Sequence, residues 1–240
     1  MAVAPTLLIA GCGTNGTNGS SGTSSSSTPV SSRPATVGNG IAGKSSSEIL
    51  AAAEQALKNA RSVHLKGTLS DKGETIKLNL WMTRTVAKGS ITGPEGGKTF
   101  TVEVIKTGGR FYMHAPAMFR ALGGAAAAEV IGNRWVLVPK GDKDFKDFES
   151  LVNIRSMAKE MLTPDGQVTK GKQTVIDGKP VIGLEASDGT LYIATTGQPY
   201  PVKLVPLKPE SPGEQLAFLD YNAPVIVHRP ADPLDLSKIS

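Results

Sequence analysis

The chain predicts an α+β fold, a curved antiparallel sheet with helices packed on one face. Three observations carry this. From Arg61 onward apolar residues recur with a period of two, glycine-containing turns separate the runs at short intervals, and only three stretches show helical spacing.

The first helical stretch is "SEILAAAEQALKNA". Ser45 to Glu48 forms the S-x-x-E pattern of a capping box, and Ile49, Ala53, Ala56, Leu57 and Ala60 then fall on one face. The strands follow. "SVHLKGTLS" sends Val63, Leu65 and Leu69 one way and His64, Lys66 and Thr68 the other. "TIKLNLWM" repeats this with Ile76, Leu78, Leu80 and Met82 against Lys77 and Asn79, and "FTVEVIK" sets Phe100, Val102 and Val104 opposite Thr101 and Glu103. Further strands are expected at 85–91, 110–114, 135–138, 168–175, 181–186, 190–194, 201–205 and 215–221. The turns are Lys72-Gly73, Gly96-Gly97, Gly108-Gly109, Asp177-Gly178 and Asp188-Gly189. Connections this short force antiparallel neighbours, so the sheet is a meander, and its apolar face needs a cover.

Two stretches can supply that cover. "DFKDFESLVNIRSMAKEML" places Phe145, Phe148, Val152 and Met161 or Leu162 on one side of a single amphipathic helix. "PAMFRALGGAAAAEVIG" has Phe119 and Leu122 ahead of Gly123-Gly124 and four alanines. Each glycine costs a helix roughly 1 kcal/mol relative to alanine. The segment reads either as a lid with a weak middle over an apolar cavity or as a loosely packed surface helix.

Composition narrows the function classes. With 39% apolar residues in 240, one core of ordinary size can form. The formal charge of +5 is spread along the strands and not blocked together, so no nucleic-acid partner is expected. A single cysteine, Cys12, excludes an intrachain disulfide and a cysteine-based metal site. His64, His114 and His228 lie far apart with no H-x-x-x-H spacing, so they read as strand residues and not as metal ligands. There is no G-x-S-x-G, no H-E-x-x-H and no Cys/His pairing. The acids Asp142, Asp144, Asp147 and Glu149 lie among lysines, as on a solvated edge. Neither catalysis nor a cofactor is expected.

The first residues, "MAVAPTLLIAGCG", carry an apolar run from Ala2 to Ala10 followed by small residues and the cysteine. Ile9-Ala10-Gly11-Cys12 resembles the lipobox of bacterial lipoproteins, in which diacylglycerol is attached to the cysteine sulfur after cleavage. No lysine or arginine precedes the run; a start further upstream would supply the usual positive charge. The run is too short to span a bilayer. Residues 13–44 are almost wholly Gly, Ser, Thr, Asn and Pro, which cannot bury enough surface to offset ordering entropy. The expected organisation is therefore a signal remnant and lipobox at 1–12, a flexible tether at 13–44 and a folded domain at 45–240. Localisation follows as the outer face of the cell membrane, through the lipid on Cys12.

"GNGIAGKS", Gly38 to Ser45, matches the phosphate-loop pattern G-x-x-x-x-G-K-[ST]. Its context does not. A phosphate loop follows a buried strand, whereas "SSTPVSSRPATV" precedes this one, and Ser45 is better used as a helix cap. "LAFLD", Leu216 to Asp220, mimics a magnesium-holding strand but reads as a late antiparallel strand. No nucleotide partner is expected.

Taken together, "LKNARSVHLKGTL", "RFYMHAPAMFRALGG", "GNRWVLVPKGD", "VIDGKPVIGLEASDGTLYIATTGQPYPVKLV" and "FLDYNAPVIVHRPAD" resemble the LolA/LolB-type lipoprotein carriers. The similarity is closer to the actinobacterial LppX/LprAFG group, and it covers nearly all of 45–235. It implies a half-open β-barrel with helices against its concave face and a cavity for acyl chains. It implies a lipid or lipoprotein ligand and, with the lipobox, a membrane-anchored carrier or sensor acting as a monomer. Carried onto this chain, the cavity wall would be Val63, Leu65, Leu78, Leu80, Phe100, Val102, Val104 and Met113, with Phe119, Leu122 and Trp135 near the mouth. The alternative is a lipoprotein of the same fold with a filled barrel, which binds protein or cell wall.

Overall fold

Ser45 begins the first helix as its pattern requires. Its hydroxyl accepts from the Glu48 amide at 3.4 Å, and the Glu48 carboxylate accepts from the Ser45 amide at 2.9 Å. The capping box opens α1, Ser46–Asn59, whose Ile49, Ala53, Ala56 and Leu57 are buried. The side-chain and backbone bonds from Ser45 hold the Glu48 carboxyl below its ordinary pKa, with Lys44 adding a smaller pull. A carboxyl lowered in the folded state contributes stability above its unfolded pKa and loses it as pH falls through the lower folded value. Protection of the first-turn amides of α1, taken relative to their intrinsic exchange rate at each pH, is thus expected to fall on acidification through the glutamate range, and Glu48→Gln is expected to remove that pH dependence.

The structure is a computed structural model, and it describes residues 37–71, 73–142, 145–164, 166–210 and 213–238. Cys12, the apolar run before it and most of the expected tether lie outside the described residues. The domain boundary expected at Ser45 is nevertheless corrected. Gly38 bridges Thr196, the Asn39 amide donates to the Thr195 carbonyl at 2.8 Å, and the Asn39 side chain donates to Ala194 and Gly197 carbonyls at 3.1 Å each. Ile41, 4% exposed, opens a 3-10 turn, Ile41–Gly43, and belongs to the core. One buried isoleucine and one asparagine are enough to dock a segment whose composition reads as linker. The same bonds bear on the phosphate-loop pattern. The amides of Asn39, Ile41, Gly43, Lys44 and Ser45 all donate within the protein, whereas a phosphate cradle needs them free.

Among the described residues twelve strands form one sheet: β1 Ser62–Asp71, β2 Glu74–Thr83, β3 Ala87–Glu95, β4 Lys98–Thr107, β5 Arg110–His114, β6 Val136–Val138, β7 Thr169–Ile176, β8 Lys179–Glu185, β9 Gly189–Ala194, β10 Pro201–Pro206, β11 Gln215–Leu219 and β12 Leu234–Asp235. Their spatial order is β12-β6-β5-β4-β3-β2-β1-β11-β10-β9-β8-β7. Two meanders thus meet where β1 pairs with β11, in antiparallel register Leu65↔Phe218 and Gly67↔Leu216. Among the described residues no further strand pairs with β12 or β7, and the barrel is half open. The pairing is antiparallel except at the edge, where β12 runs parallel to β6. To get there the chain crosses from β11, mid-sheet, to the far side. Asn222 and Ala223 fasten its start to Arg61 and Ser62, and the Leu234 amide bonds the Trp135 carbonyl at 2.8 Å.

The helices cover the concave face. α2 spans Pro116–Ile131, α3 Lys146–Leu151 and α4 Ile154–Met161. The single helix expected over 144–162 is therefore two. Asn153 breaks it because its side chain accepts from the amides of Arg155 and Ser156, capping a new helix at the expense of the old one. α2 is also interrupted, at Gly124 with φ 69° and ψ −162°, a region that only glycine occupies without strain. One contiguous core joins α1, α4 and the inward face of the sheet.

Candidate functional site

Strand register decides what each expected wall residue faces. One inward row runs Phe218, Leu65, Leu80, Gly89, Val104 and Met113 across six strands. A second, nearer the rim that carries the β1–β2 and β3–β4 turns, runs Leu216, Gly67, Leu78, Ile91 and Val102. Val63, Leu65, Leu78, Leu80, Val102, Val104 and Met113 are all buried in the common core, packed with Ile49, Leu57, Ile154 and Met157 from the helices and with Val152 between α3 and α4. They are therefore chiefly filled interior. Of the expected wall, Phe100 and Val102 border open space.

That space is an apolar groove of about 190 Å³ at the rim. Ile76, Ile91, Phe100 and Val102 form its floor from β2, β3 and β4, and Met118 of α2 with Phe148 and Leu151 of α3 form its other wall. Gly93 and Pro94 continue the floor, and Glu74 and Glu95 stand at the edge. A second recess of about 40 Å³ lies among Leu50, Met161, Leu162, Leu184, Leu191 and Leu204, which is room for about one water.

The residues placed near the mouth divide. Phe119 is half buried against the core. Leu122 is 54% exposed, and its Cδ2 lies 3.2 Å from where a Gly96 Cβ would stand, so it sits on the β3–β4 turn at the groove's rim. Trp135 is corrected: it faces the other side of the sheet. Val136 beside it is fully buried on the core face, and alternation turns Trp135 outward, where it stacks on His114 with ring centroids 5.3 Å apart.

The histidines do more than sequence reasoning gave them. His64, 7% exposed, stacks on Trp81 at 4.0 Å, with Nδ1 3.1 Å from the Asp220 carboxylate and Nε2 2.8 Å from the Asn79 side-chain oxygen. His114 repeats the arrangement with Trp135, Glu103 at 2.8 Å and Asn133 at 3.1 Å. Each cluster stands at one end of the crossing segment, beside Asp220 and beside the Trp135–Leu234 bond. Both lie across the sheet from the groove.

The architecture is thus a half-open barrel with a helical cover, whose apolar face can be reached from one rim. No family model matches the chain, and no curated protein matches it. Among solved structures, the crystal structure of LprF from Mycobacterium bovis aligns over 78% of this chain and 97% of that one, with a TM-score of 0.52 and 16% identity. At that identity the likeness is one of fold, and it is the half-barrel just described. The complex structure of Pseudomonas aeruginosa MucA/MucB aligns over 75% of this chain and 58% of that one, at 14% identity and a TM-score of 0.35, too loose to carry an argument.

Proposed function

We propose that this chain is a lipoprotein of the outer face of a bacterial cell membrane, anchored through diacylglycerol on Cys12, which holds a lipid or other acylated molecule without catalysing a reaction on it. The observation that carries the reading is the rim groove. Its floor is built from apolar side chains, with Glu74 and Glu95 at the edge. An acyl chain entering it gains about 0.8 kcal/mol for each methylene removed from water. At about 190 Å³ the groove takes a few methylenes, and a longer chain needs the cover to shift. That cover is in short pieces, with breaks at Gly124 and between α3 and α4. The packed interior favours one second reading, a scaffold lipoprotein of the same fold that binds protein or cell wall.

Native mass spectrometry followed by organic extraction separates the two. A bound species of lipid mass, released by solvent, supports the carrier or sensor. A mass of protein alone, unchanged after incubation with membrane lipid extract, supports the scaffold. Ile76→Trp places bulk on the rim at a side chain already 39% exposed, so the core is not overfilled. It is expected to weaken a captured lipid about tenfold, the worth of roughly two methylenes, with the unfolding midpoint unchanged.

A further inference from the structure

We propose that Glu74 and Glu95 choose the head of the molecule the groove holds, so that the groove takes a single-chain amphiphile bearing an ammonium group. The inference rests on the lipid-holding reading above and adds the chemistry of the head. Of the residues that line the groove, these two carboxylates alone are charged.

Register sets them against each other. The β2–β3 ladder is paired from Met82↔Ala87 as far as Lys77↔Thr92, and Pro94 has no N–H to carry it further. The two strands nevertheless stay adjacent, because a Cβ on Gly93 would stand 3.6 Å from Cγ1 of Ile76. Two residues beyond that contact on each strand, and on the same face by alternation, come Glu74 and Glu95. Like charges opposed across a strand pair are unfavourable. Among the described residues neither carboxylate has a hydrogen bond or an ion pair. Lys98 pairs in register with Glu95 across the β3–β4 turn, yet it forms no ion pair with it and does not line the groove. Arg120, exposed on α2, lies outside the lining as well.

An ammonium head at this edge meets both carboxylates while its chain lies along Ile76, Ile91 and Phe100. A carboxylate or phosphate head meets two like charges in the same place, and a neutral head meets neither pull nor push. An exposed charge pair is worth about threefold in affinity, so two together give about tenfold.

The test uses the full chain carrying Cys12→Ala, extracted free of lipid and titrated calorimetrically at neutral pH and low salt. Three probes share one alkyl length: decylammonium, decanol and decanoate, each kept below the concentration at which it aggregates. Decylammonium is expected to bind about tenfold more tightly than decanol, and decanoate more weakly than either. High salt is expected to shrink these differences. Glu74→Gln combined with Glu95→Gln is expected to bring the three probes together. The unfolding midpoint of the free protein then stays level or rises, since the repulsion between the pair is gone. Lys98→Gln, which removes the cation facing Glu95, is expected to widen the preference. Decanol bound as tightly as the amine, or a preference that survives the double substitution, overturns the proposal and leaves the groove a lipid site. A midpoint that falls in the double variant also overturns it, by assigning the carboxylates to the fold. If none of the three probes binds, the groove reading itself fails and this inference with it.

Discussion

Gly67→Ala is expected to destabilise the domain by more than about 4 kcal/mol, far beyond an ordinary substitution. Gly67 lies in β1 between Leu78 of β2 and Leu216 of β11. A Cβ built there falls 2.0 Å from the Gln215 carbonyl oxygen and 2.8 Å from the Leu216 Cα. Both obstacles are backbone, so no rotamer change relieves the clash, and the strands must separate. They are the strands that join the two meanders, so local separation strikes at the continuity of the sheet. Gly43→Ala is the control, since nothing lies within 4 Å of its Cβ position and its cost should stay within about 0.5 kcal/mol. Urea unfolding checks both. A large fall in midpoint for Gly67→Ala, with a second transition if the meanders part, supports the seam. A shift no larger than that of Gly43→Ala would contradict the β1–β11 pairing.

That seam was illegible in the sequence, and the reason is physical. Hairpin pairing is set by local turn chemistry. A turn at Gly73 makes His64 oppose Trp81, and Gly108-Gly109 makes Glu103 oppose His114, as the structure has those pairs. Both histidine clusters could have been found from that count, because cross-strand neighbours follow from where the turn sits. Pairing of β1 with β11 joins segments some 150 residues apart, and period two says only which face each residue takes. The docking of Val37 to Lys44 was hidden for a related reason. Composition averages over a segment, whereas Asn39 and Ile41 act individually. Trp135 differs in kind. In "WVLV" alternation sets Trp135 and Leu137 opposite Val136 and Val138, while the size of the aromatic side chain alone argues for the inward face. The groove's extent was not legible at all, because apolar alternation looks the same over a packed core and over an open recess.

Phe218→Ala puts that last distinction to use. Phe218 is 1% exposed on β11, opposite Leu65 in the inward row that continues to Leu80. Its removal is expected to destabilise the domain by about 3–5 kcal/mol, from lost burial and from the cavity left behind. Phe218 is not among the residues that line the rim groove. If the groove is where a hydrophobic ligand sits, affinity measured well below the unfolding midpoint should match the parent despite the lost stability. If affinity falls in step with stability, the ligand reaches the barrel interior and the wall residues Leu65 and Leu80 contact it directly. A third result is tighter binding of longer chains. The new cavity is apolar and would remain dry, so an acyl chain that could enter it from the rim would gain the surface that Phe218 had covered. That outcome would mean the groove and the core are continuous once a single side chain is removed. The filled interior would then be what limits how long a chain this domain accepts.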